Sequence, residues 1–174
     1  AKQKLIYEAM DWKIPIFSHI PLIHGSDGTK LSKRHGALGI DYYEDNGFLP
    51  EAMKNYLLRL GWSHGDKEIF SQKEMINLFS IKNIGKSSSR LDIEKLKNIN
   101  NHYIKNSPDD DLLEIIRKAK NNLNEKIEKS IIKILPEIKK SAKTSDDIIN
   151  SINFITSKRP IKLSDDSKEI LTEE

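Results

Sequence analysis

The chain has 174 residues, of which 37% are hydrophobic and 32% charged, with 29 basic and 26 acidic side chains and no cysteine. A chain of this size removes roughly two thirds of its unfolded surface from water, enough for one domain or two small ones. The lack of cysteine excludes a disulfide framework and a cysteine-based zinc site. No apolar run approaches the roughly 18 residues of a membrane span, and no signal peptide opens the chain. A cytoplasmic protein with no membrane partner is therefore expected.

Taken in chain order, Leu5, Ile6, Ala9 and Met10 fall at helical spacing between Lys2 and Trp12, and Pro15 is expected to end that helix. Residues 16–23, Ile-Phe-Ser-His-Ile-Pro-Leu-Ile, read as a strand, with Pro21 placing it at an edge or an irregular end. Residues 24–36 hold Gly25, Gly28 and Gly36 without apolar periodicity and read as a mobile loop. A short helix is expected over Ile40–Asp45, stopped by Asn46-Gly47. Another begins at Pro50, carries Ala52, Met53, Tyr56, Leu57 and Leu60 on one stripe, and meets Gly61 as its stop.

Farther on, Ser71-Gln72-Lys73-Glu74 is a capping box that opens a helix through Met75, Leu78 and Phe79. Asp92 caps the next, with Ile93, Leu96 and Ile99. From Ser107-Pro108-Asp109 the pattern stays helical. Leu112, Leu113, Ile115, Ile116 and Ala119 mark one helix. Leu123, Ile127, Ile131, Ile134 and Leu135 mark a second, which Pro136 should end or kink. Thr144 to Asp147 forms another capping box ahead of Ile148, Ile149, Ile152 and Ile155, and the residues from Pro160 onward read as a polar linker or frayed end. The expected class is mainly α with a few short strands.

The net charge of +3 does not define a partner, but its distribution is uneven. Residues 81–105 hold six basic side chains (Lys82, Lys86, Arg90, Lys95, Lys97, Lys105) against Asp92 and Glu94. Residues 106–174 hold thirteen basic and fourteen acidic ones. Lys86, Arg90, Lys95 and Lys97 are candidates for RNA phosphates, which would make binding salt-dependent; a solvated face is an equal reading. Trp62 and Tyr56 are candidates to stack on a base, although their place on or beside an apolar stripe makes them core residues first. His19, His24, His35, His64 and His102 show no metal-ligand spacing, and no zinc is expected. Asp109, Asp110 and Asp111 suit a helix N-terminus.

The segment Lys30-Leu31-Ser32-Lys33-Arg34 carries the most chemistry. Two lysines three apart, on a glycine-flanked loop after a strand, suit a polyphosphate: ammonium groups neutralise the charge that collects on phosphate oxygens as a bond to the α-phosphorus breaks, and a loop can close over a nucleotide when it binds. A solvated basic turn is the simpler reading of the pentapeptide alone. Its surroundings add weight. Lys30–Arg34 with His35-Gly36, Gly47-Phe48-Leu49-Pro50-Glu51-Ala52, Asn55-Tyr56-Leu57, Leu60 to Asp66, Glu68-Ile69-Phe70, Lys95-Leu96, Asn100 and Tyr103-Ile104 together resemble bacterial-type glutamyl-tRNA synthetases, class I enzymes whose KMSKS signature takes the KLSKR form. The resemblance covers residues 1–105 in ordered blocks.

It implies activation of glutamate by ATP as an adenylate, then transfer to the 3′ end of glutamate tRNA, with Mg²⁺ accompanying ATP. It assigns Lys30 and Lys33 as the catalytic cations of the loop, with Ser32 and Arg34 shaping the ATP contact and Leu22 and Ile23 beside the adenine. It divides the chain into a C-terminal remnant of the nucleotide-binding α/β domain (1–40), a stem-contact domain (41–104) and the start of a helical anticodon-binding domain (105–174). A monomer is expected. The family's His-Ile-Gly-His signature is absent; the nearest string is His19-Ile20-Pro21-Leu22, which lacks the glycine that permits close backbone approach. The chain is therefore expected to be an interior and C-terminal piece, inactive in charging alone. Leu91 and Asn98 replace the family's usual Phe and Trp. Rival readings are a glutaminyl or tRNA-modifying paralogue and a non-catalytic RNA-binding module.

Overall fold

The structure, a computed structural model, describes residues 2–31, 39–120 and 123–157. These form α1 (Lys2–Ala9), β1 (Ile23–His24), α2 (Ile40–Asp45), α3 (Pro50–Arg59), α4 (Gln72–Leu78), a 3-10 turn (Ile81–Asn83), β2 (Ser89–Arg90), α5 (Ile93–Asn106), α6 (Asp109–Ala119), α7 (Glu125–Ser141), α8 (Ser145–Ser151) and α9 (Asn153–Thr156). The expected class, mainly helical with short strands, is what the described residues show. Ser32, Lys33, Arg34 and everything from residue 158 onward lie outside the described residues.

The helix ends follow their local chemistry. α2 stops where Gly47 adopts φ +73°, with its N–H on Glu44 O at 2.9 Å. α3 begins at Pro50, whose missing N–H is one of the first-turn donors that would have no partner anyway. Asp92 accepts from Lys95 N at the start of α5, and Thr144 and Asp147 form a reciprocal box at α8. Three acidic residues occupy the first turn of α6, where the helix dipole favours them.

At α4 the Ser71–Glu74 box is complete, and Lys67 pairs with the same carboxylate. The Lys67 ammonium, then the Ser71 backbone and hydroxyl donors, hold the Glu74 carboxyl down to about 2 from its ordinary 4.5. A depressed acid stabilises above its unfolded value and loses that contribution as pH falls through the folded one. Glu74→Gln, which keeps the box but removes the charge, should therefore lower the urea midpoint at neutral pH. Because the pair is exposed the gap should be small and salt-sensitive, and it should close between pH 4.5 and 2. A gap constant down to pH 2 would remove the charge from the cap.

Four expectations change. The strand over 16–23 contracts to Ile23–His24, because β2 offers only two residues to pair with and Pro21 has no N–H to donate. α1 ends at Ala9, before Pro15, through a turn in which Asp11 takes φ +53° and Trp12 N donates to Tyr7 O at 2.9 Å. α3 ends on a right-handed cap at Leu60, and Gly61 is not in the left-handed region; the chain instead continues into buried Trp62, whose N–H still reaches Leu58 O at 3.1 Å. Finally, of the two outcomes expected at Pro136, an end or a kink, the end does not occur: α7 runs through it to Ser141. Ile131 and Leu135 are fully buried before the proline and Ile138 packs on the core after it, while the carbonyl that loses its donor belongs to solvent-exposed Ile132.

One core runs from Tyr43 and Phe48 through Ala52, Tyr56, Leu96, Ile99 and Ile104 into Leu112, Ile116, Ile131, Leu135, Ile148 and Ile152. α3 packs on α5, α5 on α7, and α6 to α9 close around α7. The core is thus continuous across residue 105. The stripe of α1 behaves differently: Leu5, Ile6 and Met10 are exposed, and no residue of α1 is buried.

Two buried asparagines tie this core together. Asn55 donates to Glu68 O and accepts from Phe70 N, both at 2.8 Å, fixing the loop between α3 and α4. Asn100 accepts from Leu49 N at 2.8 Å and donates to Lys143 O at 2.7 Å and Gly47 O at 3.2 Å. Ser145 N also donates to Gly47 O, at 2.9 Å, so the α2–α3 turn, α5 and the start of α8 meet at one point.

Candidate functional site

The Lys30 loop is carried by a small three-armed sheet. β1 pairs with β2 in parallel register, Ile23 opposite Ser89 and His24 opposite Arg90, and Leu91 N donates to His24 O at 2.8 Å. The chain then folds back on itself. Gly25 N donates to Thr29 O at 2.9 Å, Leu31 N donates to Ile23 O at 2.9 Å, and His24 and Lys30 face each other as an antiparallel bridge. Gly28 supplies the turn with φ +78°, and the Asp27 carboxylate accepts from both the N–H and the hydroxyl of Thr29. The front of the loop, up to Leu31, is therefore an ordered hairpin.

This arrangement has a consequence for charge. His24 has Lys30 on one edge and Arg90 on the other, and laterally paired residues share a sheet face. Arg90 also reaches the turn, since a Cβ built on Gly28 would lie 3.8 Å from its Nη2. Lys30 is exposed, so its ammonium is free to approach an anion from solvent.

Ile23 is half-buried and lines an apolar cleft of about 220 Å³ with Ile20, Pro21, Leu57, Leu60 and Trp62. Leu22 is exposed and does not line it. Trp62 and Tyr56 are both core residues, each 3% exposed. Trp62 stacks on His64 and meets Phe70 edge-on, while the Tyr56 hydroxyl accepts from Asp92 N at 2.6 Å. Burial is the main reason the Tyr56 hydroxyl is pushed above its ordinary range.

The four RNA-binding candidates divide into two pairs. Lys86 and Arg90 are exposed and have no ion pair among the described residues. Lys95 Nζ lies 2.6 Å from Glu68, and Lys97 Nζ lies 2.8 Å from Glu94, which Lys143 also reaches. Hydrogen bonding from Lys95 lowers the Glu68 carboxyl, and hydrogen bonding from Lys97 followed by Lys143 lowers that of Glu94. A phosphate at Lys95 or Lys97 has to compete with a carboxylate already in place. Leu91 packs against the core, and Asn98 is exposed.

One cation escaped the sequence reading. Arg59 stands in the last turn of α3, where the pattern alone marks a solvated, dipole-compensating residue, yet its Nε and Nη1 are buried without an acceptor among the described residues. Only tertiary packing distinguishes it.

Among the described residues no helix is long and apolar enough to cross a membrane, and no group of three or more His, Asp or Glu side chains is placed to hold a metal. The family model for the catalytic domain of class I tRNA synthetases (E and Q) matches residues 1–98. A glutamate–tRNA ligase of Nitrobacter hamburgensis is 46% identical over 184 residues, covering all of this chain and 39% of the relative. Glutamate–tRNA ligase 1 of Bartonella bacilliformis is 47% identical over 188 residues, with the same shares covered. The crystal structure of a glutamate tRNA ligase from Elizabethkingia meningosepticum, in complex with its amino acid, superposes with a TM-score of 0.72 at 32% identity, over 95% of this chain and 37% of that one. The chain spans about two fifths of the length of these proteins. With a match over more than half of its residues, and with the resemblance read from the Lys30 loop and the blocks after it borne out by these relatives, the chain belongs to the class I tRNA synthetases of the E and Q type.

Proposed function

We propose that this chain is the ATP-loop and tRNA-facing portion of a glutamate–tRNA ligase, which activates glutamate with ATP and passes it to the 3′ end of glutamate tRNA. The observation that carries the reading is the pairing of the Lys30–Arg34 sequence with an ordered hairpin that delivers Lys30 to an exposed position, in a chain whose full-length relatives are named glutamate–tRNA ligases. In this reading residues 1–40 complete the nucleotide-binding domain, 41–104 contact the tRNA stem, and 105–174 begin the anticodon-binding helices. The protein acts in the cytoplasm as a monomer.

The chemistry asked of this chain is electrostatic. Lys30 and Lys33 place ammonium groups against the β- and γ-phosphates, where charge rises as pyrophosphate departs. Ser32 and Arg34 shape the loop, and Ile23 with Leu22 flank the adenine. A Mg²⁺ ion brought with ATP would supply further charge screening beside Lys30 and Lys33; no group of three or more His, Asp or Glu among the described residues is placed to hold it. Lys86, Arg90, Lys95 and Lys97 neutralise tRNA phosphates.

The test is Lys33→Ala in the ligase that contains this chain. Because the contact strengthens as the transition state forms, glutamate-dependent pyrophosphate exchange should fall about 100-fold or more, by analogy with loss of one transition-state donor. Affinity for tRNA should change less than about twofold, since one phosphate contact of another substrate is not involved. Undiminished exchange would remove Lys33 from the mechanism.

A further inference from the structure

We propose that His24 is a phosphate-binding residue of the nucleotide site, its imidazole N–H donating to a triphosphate oxygen of ATP beside Lys30. The inference rests on the ATP-loop reading above and deepens it, adding a substrate contact that lies outside the Lys30–Arg34 segment.

The strand register places the side chain. His24 is the middle member of a row, with Lys30 on one edge and Arg90 on the other. The bonds from Gly25 N to Thr29 O and from Leu31 N to Ile23 O flank the His24–Lys30 bridge on either side. That is the narrow, non-hydrogen-bonded kind of antiparallel pair, in which Cα atoms stand about 4.5 Å apart and the two side chains lie close together on one face. The parallel pairing puts Arg90 on the same face, about 4.8 Å away on the other side. One phosphate can therefore meet His24 and Lys30 together, with Arg90 adding positive potential from the neighbouring strand.

The observation that points to a ligand is an imidazole with nothing to bond. His24 is half-buried, and among the described residues its side chain has no hydrogen bond, ion pair or ring contact. An imidazole carries at least one N–H donor in either protonation state, and a donor withdrawn from water without an acceptor is costly. Its neighbours in the row are both cations, so the acceptor that fits is an anion. The nearby carboxylates are engaged elsewhere: Asp27 accepts from the N–H and hydroxyl of Thr29, and Asp92 accepts from Lys95 N at the start of α5. The turn beside the row is open, since a Cβ on Gly28 would meet only Arg90 Nη2 within 4 Å. A phosphate could come from ATP or from RNA. ATP is favoured because the close pair joins His24 to Lys30, the first residue of the ATP-loop segment, within one hairpin.

The experiment measures kcat and the KM for ATP in tRNA charging by the ligase that contains this chain, with His24→Ala, His24→Phe and His24→Gln. His24 is held by an ordered sheet, so its contact is made with bound ATP and with the transition state alike. Loss of such uniform binding raises KM and leaves kcat. His24→Ala and His24→Phe should raise the KM for ATP about tenfold or more, the worth of one hydrogen bond to a charged group, with kcat and the KM for tRNA within about twofold. His24→Gln keeps an N–H donor and should recover most of the affinity for ATP. Thermal melting checks that the variants fold; if His24→Ala does not, His24→Phe, which keeps the volume, carries the test. Recovery by Phe but not by Gln makes His24 a packing residue and overturns the proposal. A raised KM for tRNA with an unchanged KM for ATP assigns the phosphate to RNA and overturns it equally. Lys33→Ala separates the two readings. If its pyrophosphate exchange falls while the His24 variants keep their KM for ATP, the His24 contact alone fails. Undiminished exchange in Lys33→Ala overturns the ATP-loop reading and the His24 contact with it.

Discussion

Replacing Asn100 with Ala should destabilise the protein by about 4 kcal/mol, since each buried group left without a partner costs roughly 1–3 kcal/mol. The side chain is fully buried and connects three backbone groups from two distant stretches of sequence. Truncation strands the Leu49 N–H and the Lys143 carbonyl, whereas the Gly47 carbonyl keeps Ser145 N at 2.9 Å. In a domain of this size the melting temperature should drop by roughly 8–16 °C. The neighbouring Asn101→Ala is the control. It loses one half-buried bond, to Ala142 O at 2.6 Å, and should cost only about 1 kcal/mol. A shift at Asn100 no larger than at Asn101, read from urea unfolding, would mean that the junction carries little of the stability.

Gly47→Ala should be nearly as damaging, and for a different reason. Gly47 sits at φ +73°, where a Cβ costs about 1–2 kcal/mol. That Cβ would also lie 2.6 Å from Ser145 Oγ, 2.8 Å from Ser145 N and 2.9 Å from Asp146 N. Two of those atoms are backbone at the first turn of α8, so the helix has to move and the Ser145 N bond to Gly47 O stretches. A total of about 3 kcal/mol is expected, from the strain together with the weakened buried bond. Gly39→Ala, with open space around it and φ −66°, should be neutral or slightly stabilising. Hydrogen exchange at the Ser145 amide should quicken in Gly47→Ala and stay unchanged in Gly39→Ala. Equal exchange in both would separate the α2–α3 turn from α8.

Both substitutions act where the stretch before residue 105 meets the helices after it. This junction ties the α2–α3 turn and α5 to the start of α8. Asn100 and Gly47 fall inside the sequence blocks that carry the family resemblance, and the structure supplies the physical reason such residues are needed there. Asn55 is parallel: it stands in another of those blocks and pins the loop after α3 through Glu68 O and Phe70 N.

Whatever depends on a few adjacent residues was legible in the chain itself. The Ser71–Glu74 and Thr144–Asp147 boxes, the Asp92 cap and the Asn46-Gly47 stop all stand where their side chains and turn chemistry put them. So did the family, because the Lys30–Arg34 segment and the ordered blocks after it are sequence features. The reading failed where the deciding partner lay far away. The segment 16–23 has the composition of a strand, yet an extended chain persists only where another chain satisfies its backbone, and β2 reaches only Ile23 and His24. Pro136 breaks a local hydrogen bond, but burial of Ile131, Leu135 and Ile138 holds α7 together on both sides of it. Arg59 carries the same lesson into the candidate site. Composition and helix position make it a solvated end residue, and only the folded structure shields its Nε and Nη1. Local hydrogen bonding is written in neighbouring residues; desolvation and strand pairing are properties of the folded whole.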